Sequence, residues 1–467
     1  MHPALLYQSA APDAAARRRR LLSRPSLLAA LTVVMACVPQ SRAGTDVNVS
    51  YADLAAATLI LAAAITVLRN RPRLSRRLWI LGPPALAVTA ATLATADMLS
   101  ALPGWLRFLQ IFVLVPLAMA VAVRDALDRR IVLGTVLAAA LAEAAVGCWQ
   151  AATGTGASFA GQLVRAVGTF GAVDVMGMAS VVSYGLVIAL ALALEGRGRQ
   201  RWWGLALVIT LTPALVLSLS RGAWLAFALT ALVMTALSSW RTALRLVATG
   251  ACVAVLAVGL GLGGSTLTQR VTSITTSFTQ PDQSVLDRYG LWAAAVGMWH
   301  DHMLVGVGPR GFAEHRDTYA PVHVSAASDT ADPDHGYRRQ QLLSPHNMYL
   351  LVLSEQGILG LSAFLLLGCG LLAWSARGLR TRAPARPVGP GPGRSHRRGA
   401  PRPREDAELP WASGERRLMS LTATGFLVWQ LTHFCYGDVG GPPTVVMAVM
   451  TGFTLAWAVR ADGVAAR

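Results

Sequence analysis

The sequence predicts an all-α polytopic membrane protein of about twelve transmembrane helices, with a large, partly helical extracytoplasmic loop. Three observations carry this. Of 467 residues, 54% are hydrophobic and only 14% charged, and long uncharged runs recur along nearly the whole chain. The arginines cluster in alternate connections between those runs. Two connections are long: one is basic and rich in proline and glycine, and the other holds most of the histidines.

In chain order, a basic cytoplasmic N-terminus (1–25) precedes a membrane domain (26–263). Its spans fall near 26–42, 51–68, 78–96, 104–123, 131–150, 173–194, 202–219, 222–238 and 243–263. The opening RRRRLLSRPSLLAALTVV has the basic and apolar regions of a signal peptide, but so many later spans favour a retained first helix. An extracytoplasmic loop domain (264–345) leads into span ten (346–374). A basic cytoplasmic linker (375–417), expected to be disordered, precedes the last two spans, near 418–436 and 442–459, in the region 418–467. This linker invites contact with anionic headgroups or with polysaccharide-assembly proteins.

Placing the N-terminus in the cytoplasm assigns 31 of the 41 arginines to the inside and 10 to the outside, with both termini inside the cytoplasmic membrane. The formal net charge of +17 therefore tracks topology, and no nucleic-acid partner is expected. Every basic residue is arginine and none is lysine. In so alanine-rich a chain that reads as coding bias. The five cysteines lie in or beside apolar runs, with no zinc or disulfide spacing.

From Leu205 to Leu237 every residue but Arg221 is apolar, small or a hydroxyl. One straight helix of that length would reach about 50 Å, against a hydrocarbon core of roughly 30 Å. Two spans meeting near Ser220-Arg221-Gly222 fit instead, with Arg221 at the outer surface. A snorkelling anchor is the plain alternative. The flanking small residues, and the usual cytoplasmic place of orienting arginines, favour a forked cation for a diphosphate or carboxylate.

Six of nine histidines and six of ten outer arginines fall within 264–346. Ser284-x-x-Asp287 reads as a capping box opening a helix through His302. On it Leu286, Tyr289, Ala293, Val296 and His300 form one stripe and Arg288, Trp292, Ala295 and Trp299 another, so the helix is expected to lie on the membrane domain. Arg288 would pair with Asp287 or Asp282, stack on Trp292, or serve as a second cation. His346 opens span ten ahead of a polar, distorted Glu355-Gln356-Gly357 stretch. Its ordinary pKa near 6.5 suits it to take a proton from a hydroxyl. His300-x-His302 and Asp332-x-Asp334-His335 lack a third metal ligand on a regular element, so neither metal nor cofactor is expected. Glu143 and His433 are buried ionisable groups without an assigned role.

Together these residues resemble the O-antigen ligase and O-antigen polymerase superfamily of bacterial membrane glycosyltransferases. SRGAWL (220–225) matches its Arg-x-x-x-Leu motif through Arg221 and Leu225. DRYGLWAAAVGMWHDHMLVGVGPRGF (287–312) resembles the segment after its large outer loop begins. HNMYLLVLSEQGILG (346–360) matches its histidine-asparagine and Gly-x-x-Gly pattern at His346, Asn347, Gly357 and Gly360. VGTFGAVDVMGMA (167–179) is a looser match. The resemblance implies a GT-C-like fold and a glycan donor carried on undecaprenyl diphosphate at the outer leaflet. Arg221 and Arg288 would then hold the diphosphate and His346 would act on the acceptor hydroxyl, without a metal. The acceptor could be a glycan, glycolipid or protein, and a ligase is not separated from a repeat-unit polymerase. A transporter of lipid-linked glycans predicts two similar halves and midplane polar groups, neither of which the sequence shows.

Overall fold

The computed structural model describes residues 24–39, 49–159, 164–171, 174, 176–245, 248, 283–332, 336–380 and 410–465. Its helices are α1 (Ser26–Ala36), α2 (Tyr51–Asn70), α3 (Gly82–Ala94), α4 (Met98–Leu109), α5 (Val115–Ala122), α6 (Ala126–Thr153), α7 (Gly177–Glu195), α8 (Arg199–Leu217) and α9 (Arg221–Ser238). They continue with α10 (Gln283–Asp301), α11 (Gly311–Tyr319), α12 (Met348–Arg380), α13 (Pro410–His433) and α14 (Pro443–Ala465). A 3-10 turn, Arg76–Leu81, leads into α3, and a π-turn, Gln110–Leu114, joins α4 to α5.

Among the described residues, nine segments are long and apolar enough to cross a membrane. The all-α polytopic expectation holds, with differences from the expected twelve spans. Helix α1 has only 11 residues. Helix α13 has 24 residues but a more polar composition, because its neighbours α7, α9 and α12 are protein rather than lipid. The expected span 243–263 lies outside the described residues apart from its first few, and the linker narrows to 381–409, also outside them.

Helices α7 and α14 form the centre, each with 83% of its spanning window buried. Without a hydrophobic drive between helices in lipid, close packing depends on small residues. At the α6–α7 crossing, a Cβ on Gly185 would lie 2.4 Å from the Ala140 methyl, so only glycine permits that approach. The Tyr184 hydroxyl donates to Gln430 Oε1 at 2.7 Å, and its ring meets Phe426 and Trp429 edge-on, fastening α7 to α13.

On the face that the arginine pattern assigns to the outside, the loop domain adds a small antiparallel sheet absent from the sequence expectation. Its strands are β1 (Ser158–Phe159), β2 (Ala327–Asp332) and β3 (Gly336–Gln341), in that order, with Ser158 opposite Ala331 and Thr330 opposite Arg338.

Helix α12 contains the fold's main irregularity. It breaks at Gly357 (φ 64°, ψ −164°), as expected for the stretch around Glu355. The 23 residues beyond the break span about 35 Å, enough to cross the hydrocarbon core, so the break lies near one edge of it. Backbone groups freed there cannot stay unpaired in lipid. Segment 303–308 supplies them: Val307 and Gly308 N–H donate to the carbonyls of Ser354 and Glu355, and Ile358 and Leu359 N–H donate to those of Met303 and Leu304, at 2.9–3.3 Å. Both glycines are required by close approach, since a Cβ on Gly306 or Gly357 would meet opposing backbone at 2.3–2.5 Å.

Candidate active site

Helices α8 and α9 meet where the sequence placed the bend. Leu219 takes a left-handed conformation (φ 49°), and Ser220 caps α9 by accepting from Ala223 N–H at 3.3 Å. Arg221 is the first residue of α9 and is half-buried. Its charge therefore stands at the positive end of a helix dipole, where two like contributions repel each other and jointly favour an anion. Leu225 is 54% exposed on α9.

Gly222 joins Arg221 to the loop after α13. The Tyr436 hydroxyl donates to the Gly222 carbonyl, and a Cβ on Gly222 would overlap the Tyr436 ring at 2.3 Å. Loop 434–441 then reaches the start of α12, where Met348 N–H donates to the carbonyls of Phe434 and Gly437 at 2.9 and 3.1 Å. His346 stands two residues before that helix, with φ 49°, a left-handed conformation uncommon for a side-chain-bearing residue. Asn347 is the helix cap: its Oδ1 accepts from Tyr349 and Leu350 N–H at 3.0 and 3.2 Å.

Helix α10 brings in the second arginine. Trp292 Nε1 donates to the Pro345 carbonyl at 2.9 Å, next to His346, and Arg288 sits one turn before Trp292. The electrostatics agree. Burial lowers the His346 pKa below its ordinary value, the Asp438 carboxylate opposes this, and the Arg288 charge reinforces it. Burial pushes the Tyr436 phenol upward, while Arg288 pulls it down. Arg221, Arg288 and His346 thus converge around loop 434–441.

Helix α10 itself differs from expectation in two respects. Its described part is already helical at Gln283, ahead of Ser284, whose side chain lies outside the described ones, and Asp287 accepts from Gln283 Nε2 and Ser325 N–H (2.8 and 2.9 Å). Its most buried face is Asp287, Leu291, Ala294, Ala295 and Met298, whereas the Leu286–Tyr289–Ala293–Val296–His300 stripe is exposed. The helix packs against α12 and α11, and the Leu286 stripe is left uncovered.

The secondary candidates resolve differently. Glu143, fully buried, accepts from Thr169 N–H at 2.9 Å and from the Thr169 hydroxyl, while Gln150 Oε1 accepts from Val167 and Gly168 N–H at 3.0 and 2.8 Å. Together they hold the 167–170 segment, a structural role. Glu355 accepts from the backbone of Arg310 and Phe312, capping α11. His433 is buried, stacked on Trp429 at 4.7 Å, with both ring nitrogens lacking hydrogen-bond partners among the described residues. A Cβ on Gly360 would strike the Gln356 side chain at 2.2 Å, so this motif glycine serves packing beside the break. Among the described residues, no three His, Cys, Asp or Glu converge as a metal set. Asp334 and His335 lie outside those residues.

Sequence reasoning missed Asp438, Tyr436, Asp174 and Arg107. Asp438 Oδ2 is buried without a hydrogen-bond partner among the described residues. The Asp174 carboxylate lies against Gly441, whose carbonyl accepts from Arg107 Nη2 at 3.0 Å. The signals for this group were the YGDVGG turn shortly after His433 and, for Asp174, the looser motif VGTFGAVDVMGMA.

No curated protein matches the chain. Residues 206–365 match the family model described as O-Antigen ligase, and that stretch contains Arg221, Arg288 and His346. Over that segment, about a third of the chain, the protein is similar to the O-antigen ligase family.

Proposed function

We propose that the protein transfers a glycan from an undecaprenyl-diphosphate carrier to an acceptor hydroxyl at the outer face of the cytoplasmic membrane. The observation that carries this reading is the gathering of Arg221, Arg288 and His346 around loop 434–441, on the segment that matches the ligase family.

In this reading, the acceptor hydroxyl oxygen attacks the anomeric carbon while the bond to the diphosphate breaks. A single displacement inverts that centre. The His346 imidazole, held neutral at pH 7 by burial and Arg288, takes the hydroxyl proton. The diphosphate leaves with the bonding electrons, and its charge is met by Arg221, the N-terminus of α9 and Arg288. Asp438 supplies a counter-charge for His346 once it is protonated. This role makes it a positioning residue.

The test uses purified protein in nanodiscs with a lipid-linked glycan from the native host, following release of free undecaprenyl diphosphate with and without EDTA. Expected are release that survives EDTA and loss of at least about 100-fold in Arg221→Ala, Arg288→Ala and His346→Ala. Product length separates polymerase from ligase. An intact carrier across a panel of acceptors, with glycolipid crossing the bilayer, overturns the reading in favour of a transporter.

A further inference from the structure

We infer a second lipid site: a cavity on the opposite face from His346 seats one anionic phospholipid, its phosphate among arginines and an acyl chain between helices. The cavity has a volume of about 480 Å³. It lies where α6 and α13 each pack on α7 but hardly on one another, leaving a gap floored by α7. Leu133, Leu137, Ile188 and Met419 line its apolar part, and Arg129, Arg130 and Arg197 stand at its mouth with Glu195 and Glu415.

The two carboxylates do not cancel the arginines. Glu415 accepts from Arg129 Nη2 at 2.9 Å, and Glu195 is paired with Arg417 at 2.9 and 3.0 Å and also accepts from Ser238. Arg129 Nε remains buried without a hydrogen-bond partner, and Arg130 is exposed without an ion pair, among the described residues. The mouth therefore keeps surplus positive charge, carried by exposed Arg130.

Depth selects the ligand. Arg129 and Arg130 lie in the first turn of α6, and Leu133 and Leu137 follow one and two turns deeper, roughly 6 and 12 Å into the bilayer. Cationic donors above an apolar slot reproduce the order of headgroup and chain in a lipid leaflet, and basic pockets between helices on the cytoplasmic side suit anionic headgroups. The chain's own 381–409 segment is a poor occupant, because it carries seven arginines against three carboxylates and the mouth repels it.

Gly134 provides a clean test. It lines the cavity, and a Cβ there meets no atom within 4 Å, so Gly134→Leu fills the slot without a clash and with a better helix former. The full-length protein, delipidated in detergent, is titrated with phosphatidylglycerol, phosphatidylcholine, a polyprenyl phosphate and inorganic phosphate. Bound lipid is counted by native mass spectrometry, alongside the thermal midpoint. Expected is preferential retention of one phosphatidylglycerol. Affinity should fall on the order of tenfold in the Arg130→Ala/Arg197→Ala double variant. In Gly134→Leu it should fall similarly, with the midpoint of the lipid-free protein unchanged or raised. Equal retention of phosphatidylcholine, preference for polyprenyl phosphate, displacement by inorganic phosphate, or unchanged retention in both variants would overturn the inference.

Discussion

Replacing Gly357 with alanine probes the joint between the outer loop and the broken helix. Two costs follow from the structure. The backbone at φ 64°, ψ −164° belongs to a region that only glycine occupies readily, worth about 1–3 kcal/mol for alanine. The new methyl would lie 2.3 Å from the Leu304 carbonyl group and 2.5 Å from Val305 N, and these are backbone atoms that cannot rotate away. Relief requires segment 303–308 to move off α12, which breaks up to four backbone hydrogen bonds. Each buried group left unpaired costs about 1–3 kcal/mol. Two such losses plus the conformational term come to on the order of 5 kcal/mol, comparable to the whole ~5–15 kcal/mol stability of a typical domain. The assay is hydrogen exchange read by mass spectrometry over 303–312 and 354–359, with thermal midpoint and carrier release measured on the same preparation. Protection should be lost in both segments and release should fall more than about 100-fold, while α7 and α14 stay protected. Gly82→Ala, where a Cβ meets nothing within 4 Å, is the control and should be silent. An alanine variant with native protection at 303–312 and native activity would refute the reasoning.

Three further predictions concern the site and its supports. With the His346 pKa lowered by burial, the acid limb of the activity profile should lie below the ordinary value of about 6.5; Arg288→Gln should shift that limb upward and Asp438→Asn downward, read from residual activity across pH 4–8, and the opposite order would defeat the assignment of His346 as base. Gly222→Ala must displace the Tyr436 ring, so kcat should drop by roughly 10- to 100-fold with the fold retained, whereas Leu225→Ala, at an exposed position, should change neither activity nor midpoint. Glu143→Gln should lower stability by about 1–3 kcal/mol, because Thr169 loses a charged acceptor, while activity per folded molecule persists; the reverse pattern would make Glu143 a catalytic group.

The sequence by itself determined what depends on local composition and spacing. Lipid demands continuous apolar helices, so the helices and the α8–α9 bend at Arg221 were legible from the chain alone. The Gly357 break was legible for the same reason: a polar stretch with glycine interrupts an apolar run. The three candidate site residues were likewise proposed from local motifs. Only the tertiary structure decided which helix faces meet. The exposed α10 stripe at Leu286 and Tyr289 looked as dockable as the buried one, because periodicity reports an apolar face but not its partner. Asp438, Tyr436 and Arg107 were hidden because each lies far along the chain from what it touches, as Tyr436 does from Gly222. Glu143 looked functional as a buried carboxylate until its backbone donor was placed beside it. Whether a buried charge binds substrate or holds a loop depends on which donors surround it, and distant parts of the chain supply those donors only once it is folded.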